Sequence, residues 1–383
     1  MKPLPVYPIF DIEPVKGFGS FVWDKENRKY LDFYGGHAVI SIGHSHPKYI
    51  QKINDQLKQL GFYSNSVKVP IQEEYAEKLG KICGYNDYDV FLCNSGAEAI
   101  ENAIKVAAFA KERNKIVVFE KGFHGRTSMA VSCTDNAKVR TQFDNTHDII
   151  RLPLNDFEQL EAIDETVCAV MLEGVLGIGG IHVPEATFLQ EVRKVCDRKG
   201  ALLILDEIQS GFGRTGRFFA HQHHGVKADI IAMAKGMGNG FPVAGVLVSP
   251  ELKVWKGMLG STFGGNHLAC AAGLAVLEVM EEENLLGNVQ IQGDYLMQAL
   301  KQQPEILEVR GLGLMIGCVF DFDVAELRKE LVYQFQTFTG SSSEKNVLRL
   351  LPPLSLQAEE SDLLLSNLRK ALAYLELQKV TEK

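Results

Sequence analysis

Six short runs recur between residues 89 and 249: DVFLC (89–93), KIVVFE (115–120), CAVMLE (168–173), ALLILDE (201–207), DIIAMAK (229–235) and AGVLVS (244–249). Each is apolar at successive positions rather than at alternate ones. A strand that is apolar on both faces has to be covered on both faces, which helices packed above and below a sheet achieve. The runs are separated by glycine-containing or polar turns and by longer stretches with helical spacing. The pattern predicts a mostly parallel α/β sheet flanked by helices. In open sheets of this kind ligands bind beyond the carboxyl ends of the strands. Asn94, Ser95, Glu120, Glu173, Asp206, Glu207 and Lys235 all stand at the ends of their runs, so they are expected to converge on one crevice.

The rest of the chain has a different texture. GSTFGGNHLACAAGLAVLEVMEEENLL (260–286) reads as a long helix entered from a glycine loop. From about residue 287 follow a helix, the strand-like LEVRGLGLMIGCVF (307–320), another helix and NVLRLLPPLSL (346–356), a separate α+β unit. GSFVWDKENRKYLDFYGG near the start reads as a hairpin or meander packing with that unit, and SSSEK (341–345) as a solvated loop. The expected organisation is an N-terminal segment (1–60), a large cofactor-binding domain (61–270) and a small C-terminal domain (271–383) entered by the linking helix. No internal repeat is present.

Composition narrows the partners. Forty Lys and Arg against 48 Asp and Glu give a net charge of −8, the wrong sign for a protein that wraps nucleic acid. Small molecules are the expected ligands. Seven cysteines (83, 93, 133, 168, 196, 270 and 318) have no CxxC spacing, which suits a reducing cytoplasm. Neither a signal peptide nor a membrane span is expected, since MKPLPVYPIF carries prolines where an apolar core would be needed.

The chemistry is concentrated at three points. In FLCNSGAEAIENAIK, Asn-Ser-Gly-Ala sits between a strand and a strongly periodic helix, where free N–H groups and the helix dipole can cradle a phosphate. By itself the same turn reads equally as a serine cap. Asp206 ends ALLIL, where a carboxylate needs a cationic partner or an N–H donor. A magnesium-holding nucleotidase strand would need GxxxxGK[ST] upstream; GFGRTGR (211–217) has Arg217 in place of Lys and follows the strand. GFGRTG also satisfies GxGxxG, but RFFAHQHHG follows it instead of an apolar helix, which favours a plain glycine-rich loop. Lys235, alone, reads as a lysine snorkelling out of a strand end. In one crevice with the phosphate cradle and Asp206, it becomes a desolvated nucleophile for an aldehyde, with the carboxylate placed for a protonated ring nitrogen. Those are the requirements of pyridoxal 5′-phosphate.

With these residues in place the chain resembles the class III (ω-amino) pyridoxal-phosphate aminotransferases, within them the acetylornithine/succinylornithine group. The resemblance runs over nearly the whole chain, through YLDFYGGHAVISIGHSHP (30–47), NSGAEAIENAIK (94–105), GFHGRT (122–127), LDEIQSGFGRTG (205–216), AKGMGNGFPVAG (234–245), GSTFGGNHLACAA (260–272), RGLGLMIG (310–317) and LRLLPPL (348–354). It implies a fold-type I transferase in which Lys235 holds the cofactor as a Schiff base and Asp206 bonds the pyridine nitrogen. Gly96 and Ala97 would offer amides to the phosphate with Ser95 beside them. Phe123 would stack on one ring face and Ile208 on the other, with His124 among the cofactor-binding residues and Gln209 near the phenolic oxygen. Thr262 would reach the phosphate of a neighbouring subunit's cofactor and Ser261 the substrate there, implying a homodimer with shared sites. Arg126 and Arg349 would clamp substrate carboxylates, a task that suits the guanidinium fork. The implied reaction moves the terminal amine of an acylornithine to 2-oxoglutarate, in arginine biosynthesis.

The chain departs from the family pattern in two places. EGVLGIGG (173–180) stands where the family reads E-P-[IV]-Q-G-E-G-G, so Leu176 replaces Gln and Ile178 replaces the Glu that covers the arginine equivalent to Arg349. His37 stands where relatives carry Ile or Tyr. An uncovered Arg349, with His37, is expected to alter recognition of the acyl group, in favour of a succinyl donor. Another chemistry on the same fold (a mutase, a decarboxylase, an ornithine or 4-aminobutyrate aminotransferase) and a noncatalytic regulator are the competing functions; intact Lys235, Asp206, Arg126 and Arg349 speak against the last. GHSHP (43–47) and HQHH (221–224) lack companion carboxylate spacing, so no metal is expected.

Overall fold

A computed structural model of the protein describes residues 1–381. The chain opens with an antiparallel meander, β1 (Pro14–Phe18), β2 (Phe21–Asp24) and β3 (Lys29–Asp32). A short turn, α1 (Gly35–Ala38), follows, with His37 in the left-handed region at φ 70°. Proline opens both α2 (Pro47–Gln59) and α3 (Pro70–Cys83), at the one helical position where its missing N–H costs nothing. Gly84, at φ 80°, ends α3.

The central sheet is built from β4 (Asp89–Cys93), β5 (Lys115–Phe119), β6 (Ile149–Leu152), β7 (Val167–Glu173), β8 (Leu202–Asp206), β9 (Ile230–Met233) and β10 (Ala244–Val248), in the order β4-β10-β9-β8-β7-β5-β6. The helices α4 (Gly96–Lys111), α5 (Ser128–Cys133) and α6 (Ala186–Lys199) are interspersed among these strands. Strands β6 through β9 run parallel with β5, as the apolar runs predict. β10 is antiparallel to both its neighbours, β4 and β9. A buried strand is apolar on both faces whichever way it points, so AGVLVS carries no sign of its direction. Edge strand β6 escapes the sequence pattern because three of its four residues are only half-buried and Arg151 interrupts the apolar run.

Alternate residues serve the two faces. Val117, Val170, Leu172, Leu203 and Leu205 pack with Phe188, Leu189 and Val192 of α6. Ile116, Val118, Met171, Leu202 and Ile204 pack with Ala99, Ile100 and Ala103 of α4. Each fully buried aliphatic side chain contributes about 1.5–3 kcal/mol, which is why the strands cannot tolerate polar residues before their ends.

The chain continues through α7 (His267–Glu282), α8 (Leu285–Lys301), β11 (Glu308–Leu312), β12 (Met315–Val319), α9 (Ala325–Tyr333), β13 (Thr337–Phe338), β14 (Val347–Leu350) and α10 (Ala358–Thr381). LEVRGLGLMIGCVF is two strands rather than one: Gly313, at φ 54°, turns β11 back onto β12 with Leu312 opposite Met315. β14 completes a three-stranded antiparallel sheet. β13 pairs in parallel with β3, and Leu351 N–H donates to Phe33 C=O at 2.8 Å, so the two ends of the chain are joined by backbone hydrogen bonds.

Candidate active site

β7, β8 and β9 end side by side at one cleft of about 320 Å³, large enough for a small ring-bearing ligand. Asp206 ends β8 directly opposite Glu173 of β7. β9 stops at Met233, two residues earlier than DIIAMAK suggests; Ala234 breaks the strand and Lys235 opens a 3₁₀ turn at φ 45°. A lysine in the left-handed region is strained, and such strain persists only where the surroundings impose it. Its side chain lines the cleft with Asn94, Ser95, Gly96, Ala97, Phe123, His124, Glu173, Ile178, Asp206, Ile208 and Gln209.

Two of the expected strand-end residues stay out. Side chains of consecutive strand residues point to opposite faces, so Glu207 leaves the cleft that Asp206 enters. It is buried instead among His221 Nδ1 at 2.7 Å, Ser210 Oγ at 2.6 Å and the amides of Ala220 and His221 at 3.0 Å. Glu120, just beyond β5, is exposed. The histidine clusters also disperse: His44 bonds Asp32, His46 bonds Glu283, His221 joins Glu207 and Tyr85, and His223 caps Thr215. GFGRTG forms a tie, with buried Arg214 donating to the carbonyls of Leu314 and Pro352.

The electrostatics of the cleft are set by burial. Asp206, 3% exposed, accepts from Ile208 N–H at 3.0 Å and faces His124 Nδ1 at 2.8 Å. His124 is itself fixed through its amide to Thr134 Oγ1, while its Nε2 is buried without a partner. Glu173 accepts from the amides of Phe123 at 2.8 Å and Gly177 at 2.9 Å. Burial pushes its carboxyl up to about 7, the nearby His124 and the two amides opposing and Asp206 adding to the rise. Burial also lowers the Lys235 ammonium below its usual value, against the attraction of Asp206 and Glu173. An amine so placed spends more of its time unprotonated and nucleophilic.

At the head of α4, Ser95 acts as the cap, its Oγ accepting from Glu98 N–H at 3.3 Å. It also lines the cleft, together with Gly96 and Ala97 of the first turn, whose amides have no place in the helical ladder. A Cβ on Gly96 would stand 3.0 Å from Ile208 Cδ1, so glycine keeps the cradle open.

Of the remaining predicted residues none lines the cleft itself; Arg349 and His37 reach its edge through Gln209, Ser261 through Asn94, and Arg126 and Thr262 are exposed. Arg349 is 1% exposed, its Nε donating to Ser341 C=O at 2.5 Å and its Nη1 to Gln209 Oε1 at 3.3 Å. Among the described residues it has no carboxylate at ion-pair distance, and burial lowers it to about 10. Gln209 Nε2 donates to His37 C=O at 3.0 Å, which brings His37 to the same edge through its backbone. The His37 ring contacts Tyr34 Oη, and burial with nearby Arg349 lowers it to about 4, so it is neutral at physiological pH. Arg126 is exposed, its guanidinium 5.8 Å from the Phe123 ring centre. Ser261 Oγ accepts from Asn94 Nδ2 at 3.0 Å; Thr262 is exposed and outside the cleft of this chain. Residues that sequence reasoning left without a role include Tyr34, beside His37, and the apolar wall Val39, Phe241, Pro242 and Val243. Only the strand-end position of Glu173 marked it beforehand.

The model of the family Aminotransferase class-III matches residues 5–372. The acetylornithine aminotransferase of Caldanaerobacter subterraneus subsp. tengcongensis is 41% identical, over 93% of this chain and 93% of that one. That of Bacillus subtilis is 40% identical, over 96% and 97%. Among solved structures, ornithine aminotransferase from Toxoplasma gondii superposes with a TM-score of 0.91 at 29% identity, covering 98% of this chain and 93% of that one. A Bacillus anthracis aminotransferase gives 0.88 at 27%, covering 95% and 93%. The chain belongs to the class III aminotransferases. It is an aminotransferase that uses an amino donor and an oxo acid, and its cofactor is pyridoxal 5′-phosphate.

The cleft fits that cofactor. It presents open helix-end amides for a phosphate, a buried carboxylate for a ring nitrogen, an amine of lowered basicity for an aldehyde, and an orphaned polar atom at His124 Nε2.

Proposed function

We propose that the protein transfers the terminal amine of an N-acylornithine to 2-oxoglutarate, yielding an acylated glutamate semialdehyde and glutamate. The observation that carries this reading is the buried Arg349, whose guanidinium has among the described residues only the uncharged oxygens of Ser341 and Gln209 as hydrogen-bond partners. A guanidinium sealed from water asks for an anion, and both substrates bring carboxylates. The acetylornithine aminotransferases aligned with more than nine-tenths of this chain support the same substrate class.

In this reading Lys235 tethers the cofactor and then serves as the base that moves the proton at the adjacent carbon. When bound, the cofactor supplies the electron sink for the reacting carbon. Asp206, oriented by His124 and Ile208 N–H, would hold the ring nitrogen and favour its protonated form. Gly96 and Ala97, with Ser95, would hold the phosphate, Phe123 and Ile208 would flank the ring, and Gln209 would bind its phenolic oxygen. Arg349 and Arg126 hold substrate carboxylates, and His37, neutral and beside Tyr34, borders the acyl end.

A homodimer belongs to the proposal. Thr262 and Ser261 lie next to the exposed, mutually packed rings of Phe62 and Phe263, centroids 5.3 Å apart, an apolar patch suited to a second copy. No helix of the described residues is long and apolar enough to cross a membrane, and the seven cysteines are buried free thiols, consistent with action in the cytoplasm.

The test is the first half-reaction, followed as loss of the cofactor's visible absorption with acetylornithine, succinylornithine, ornithine and 4-aminobutyrate in parallel. The proposal expects both acylornithines to outpace the other two. A preference for free ornithine or 4-aminobutyrate would assign the protein to another ω-aminotransferase.

A further inference from the structure

Away from the cofactor cleft, two cationic side chains and a histidine, from three parts of the fold, converge on one carboxylate. Glu344 Oε1 accepts from Lys121 Nζ at 2.6 Å and lies 2.8 Å from His182 Nε2; Oε2 accepts from Arg310 Nη2 at 2.5 Å. Lys121 immediately precedes the Gly122–Phe123–His124 turn, His182 closes the loop after β7, and Arg310 is on β11. The cluster pulls the Glu344 carboxyl down to about 2, its hydrogen bonds with Lys121, His182 and Arg310 outweighing the opposing effect of burial. The contacts are tight: a Cβ on Gly180 would stand 2.7 Å from Glu344 Oε2, and one on Gly179 only 2.5 Å from Lys121 C=O.

The segment anchored by Glu344 is the one that holds Arg349. Ser341 C=O accepts from Arg349 Nε at 2.5 Å, Gly340 exchanges backbone hydrogen bonds with Arg349 at 2.8 and 2.9 Å, and Ser343 N–H donates to Ile178 C=O at 2.8 Å. The stretch 340–344 is therefore pinned at one end to Arg349 and at the other to Lys121, His182 and Arg310. An exposed ion pair alone is worth little, but a carboxylate gathered by two cations and an imidazole is a network that fixes a loop. The serines around it have little side-chain packing to do so.

We propose that Glu344 is a positioning residue: clasped by Lys121, His182 and Arg310, it sets the place of the Arg349 guanidinium through the 340–344 segment and so sets affinity for the substrate carboxylate. The inference rests on the reading of Arg349 as the carboxylate clamp. Because Arg349 is used in both half-reactions, loosening it weakens the amino donor and the oxo acid alike. The cofactor, held by other residues, is bound as before.

Steady-state kinetics of the holoenzyme test this with Glu344→Gln, Arg349→Lys and the double variant. Glu344→Gln should raise KM for both N-acetylornithine and 2-oxoglutarate on the order of tenfold, as misplacement of a binding group does, with kcat and the cofactor spectrum unchanged. In the double variant the two effects should be far from additive, since both act through one guanidinium. Lys121→Met, which leaves the Arg310 and His182 contacts, should give a smaller rise of the same kind and guards against misfolding of the first variant. If Arg349→Lys leaves both KM values unchanged, the clamp reading itself fails. If it raises them while Glu344→Gln does not, lowers kcat alone, or adds independently, the role given to Glu344 is overturned.

Discussion

Nδ1 of His124 stands 2.8 Å from Oδ2 of Asp206, with both side chains shut off from solvent. A carboxylate in that position must be satisfied by the protein, and His124 with the Ile208 amide does so. Losing a hydrogen bond to a charged group costs about 1.5–3 kcal/mol. His124→Ala is therefore expected to lower the single-turnover rate roughly 10- to 100-fold, with a shift in the cofactor's absorption. Unchanged rate and spectrum in stopped-flow measurements would mean that Asp206 needs no such support.

Arg349 gives the second prediction. Ile178 borders the cleft, and its carbonyl is bonded to the same 341–343 segment that accepts from Arg349. A carboxylate at position 178 would offer the buried guanidinium a competitor that substrate must displace. Ile178→Glu should raise KM for 2-oxoglutarate about tenfold, equivalent to about 1.4 kcal/mol. It should also change the ratio of kcat/KM between acetylornithine and succinylornithine. Equal values for the two donors before and after substitution would remove Ile178 and the open Arg349 from any part in acyl recognition.

How far the sequence foretells this site depends on the kind of signal each residue leaves. Asp206 and Lys235 stand at the ends of runs apolar on both faces, and hydrophobic burial alone marks where such runs stop. Glu207 shares that mark and is misplaced by it, because strand alternation sends neighbours to opposite faces while both faces here are buried. The direction of β10 and the existence of β6 are invisible for related reasons: pairing partners are not written in a strand's own composition, and an edge strand bears polar residues. The Glu344 cluster leaves no local pattern at all. Its members are separated by as many as 223 positions, and SSSEK reads as solvated until the fold brings Lys121 beside it.

Gly177 is fixed by Gln209. A Cβ at position 177 would fall 1.9 Å from Gln209 Oε1, the atom that accepts from Arg349 Nη1. Gly177→Ala therefore has to expel the Gln209 amide, breaking its links to Arg349 and to His37 C=O. Overpacking of this kind costs about 1–3 kcal/mol. The variant should show a lowered Tm and a raised KM for both substrates. Gln209→Ala in the same background should recover much of the Tm, because the clash is gone, without recovering KM.

Glu173 supplies a pH prediction. Its carboxyl is raised by burial to about 7, so folding favours the protonated form. The stability this contributes is fully present below the unfolded value near 4.5 and is lost as pH rises through about 7. In the cofactor-free protein, the stability of wild type relative to Glu173→Gln should fall as pH rises from 4.5 to 7, by at most ~1.4 kcal/mol per pH unit, and level off above. Denaturant unfolding at several pH values measures the difference; a flat one would place the carboxyl at its ordinary value.

Lys235 carries two opposed consequences in one side chain. Burial lowers its ammonium below 10.5, so in the cofactor-free fold the charge is a burden. A depressed folded value means that its stability contribution is present above the unfolded value and lost as pH falls below it; at neutral pH the lysine destabilises the empty protein. The left-handed backbone at φ 45° adds strain that a lysine does not relieve. Lys235→Met should accordingly raise the Tm of the cofactor-free protein at pH 7 while lowering turnover by roughly 10⁴-fold or more, the loss expected when nucleophile and base disappear together. The bound cofactor's visible band should vanish with the activity. Scanning calorimetry and turnover assays on the same preparations decide the matter: a variant that retains turnover, or one that loses it only because it has become less stable than wild type, contradicts the role given to this amine.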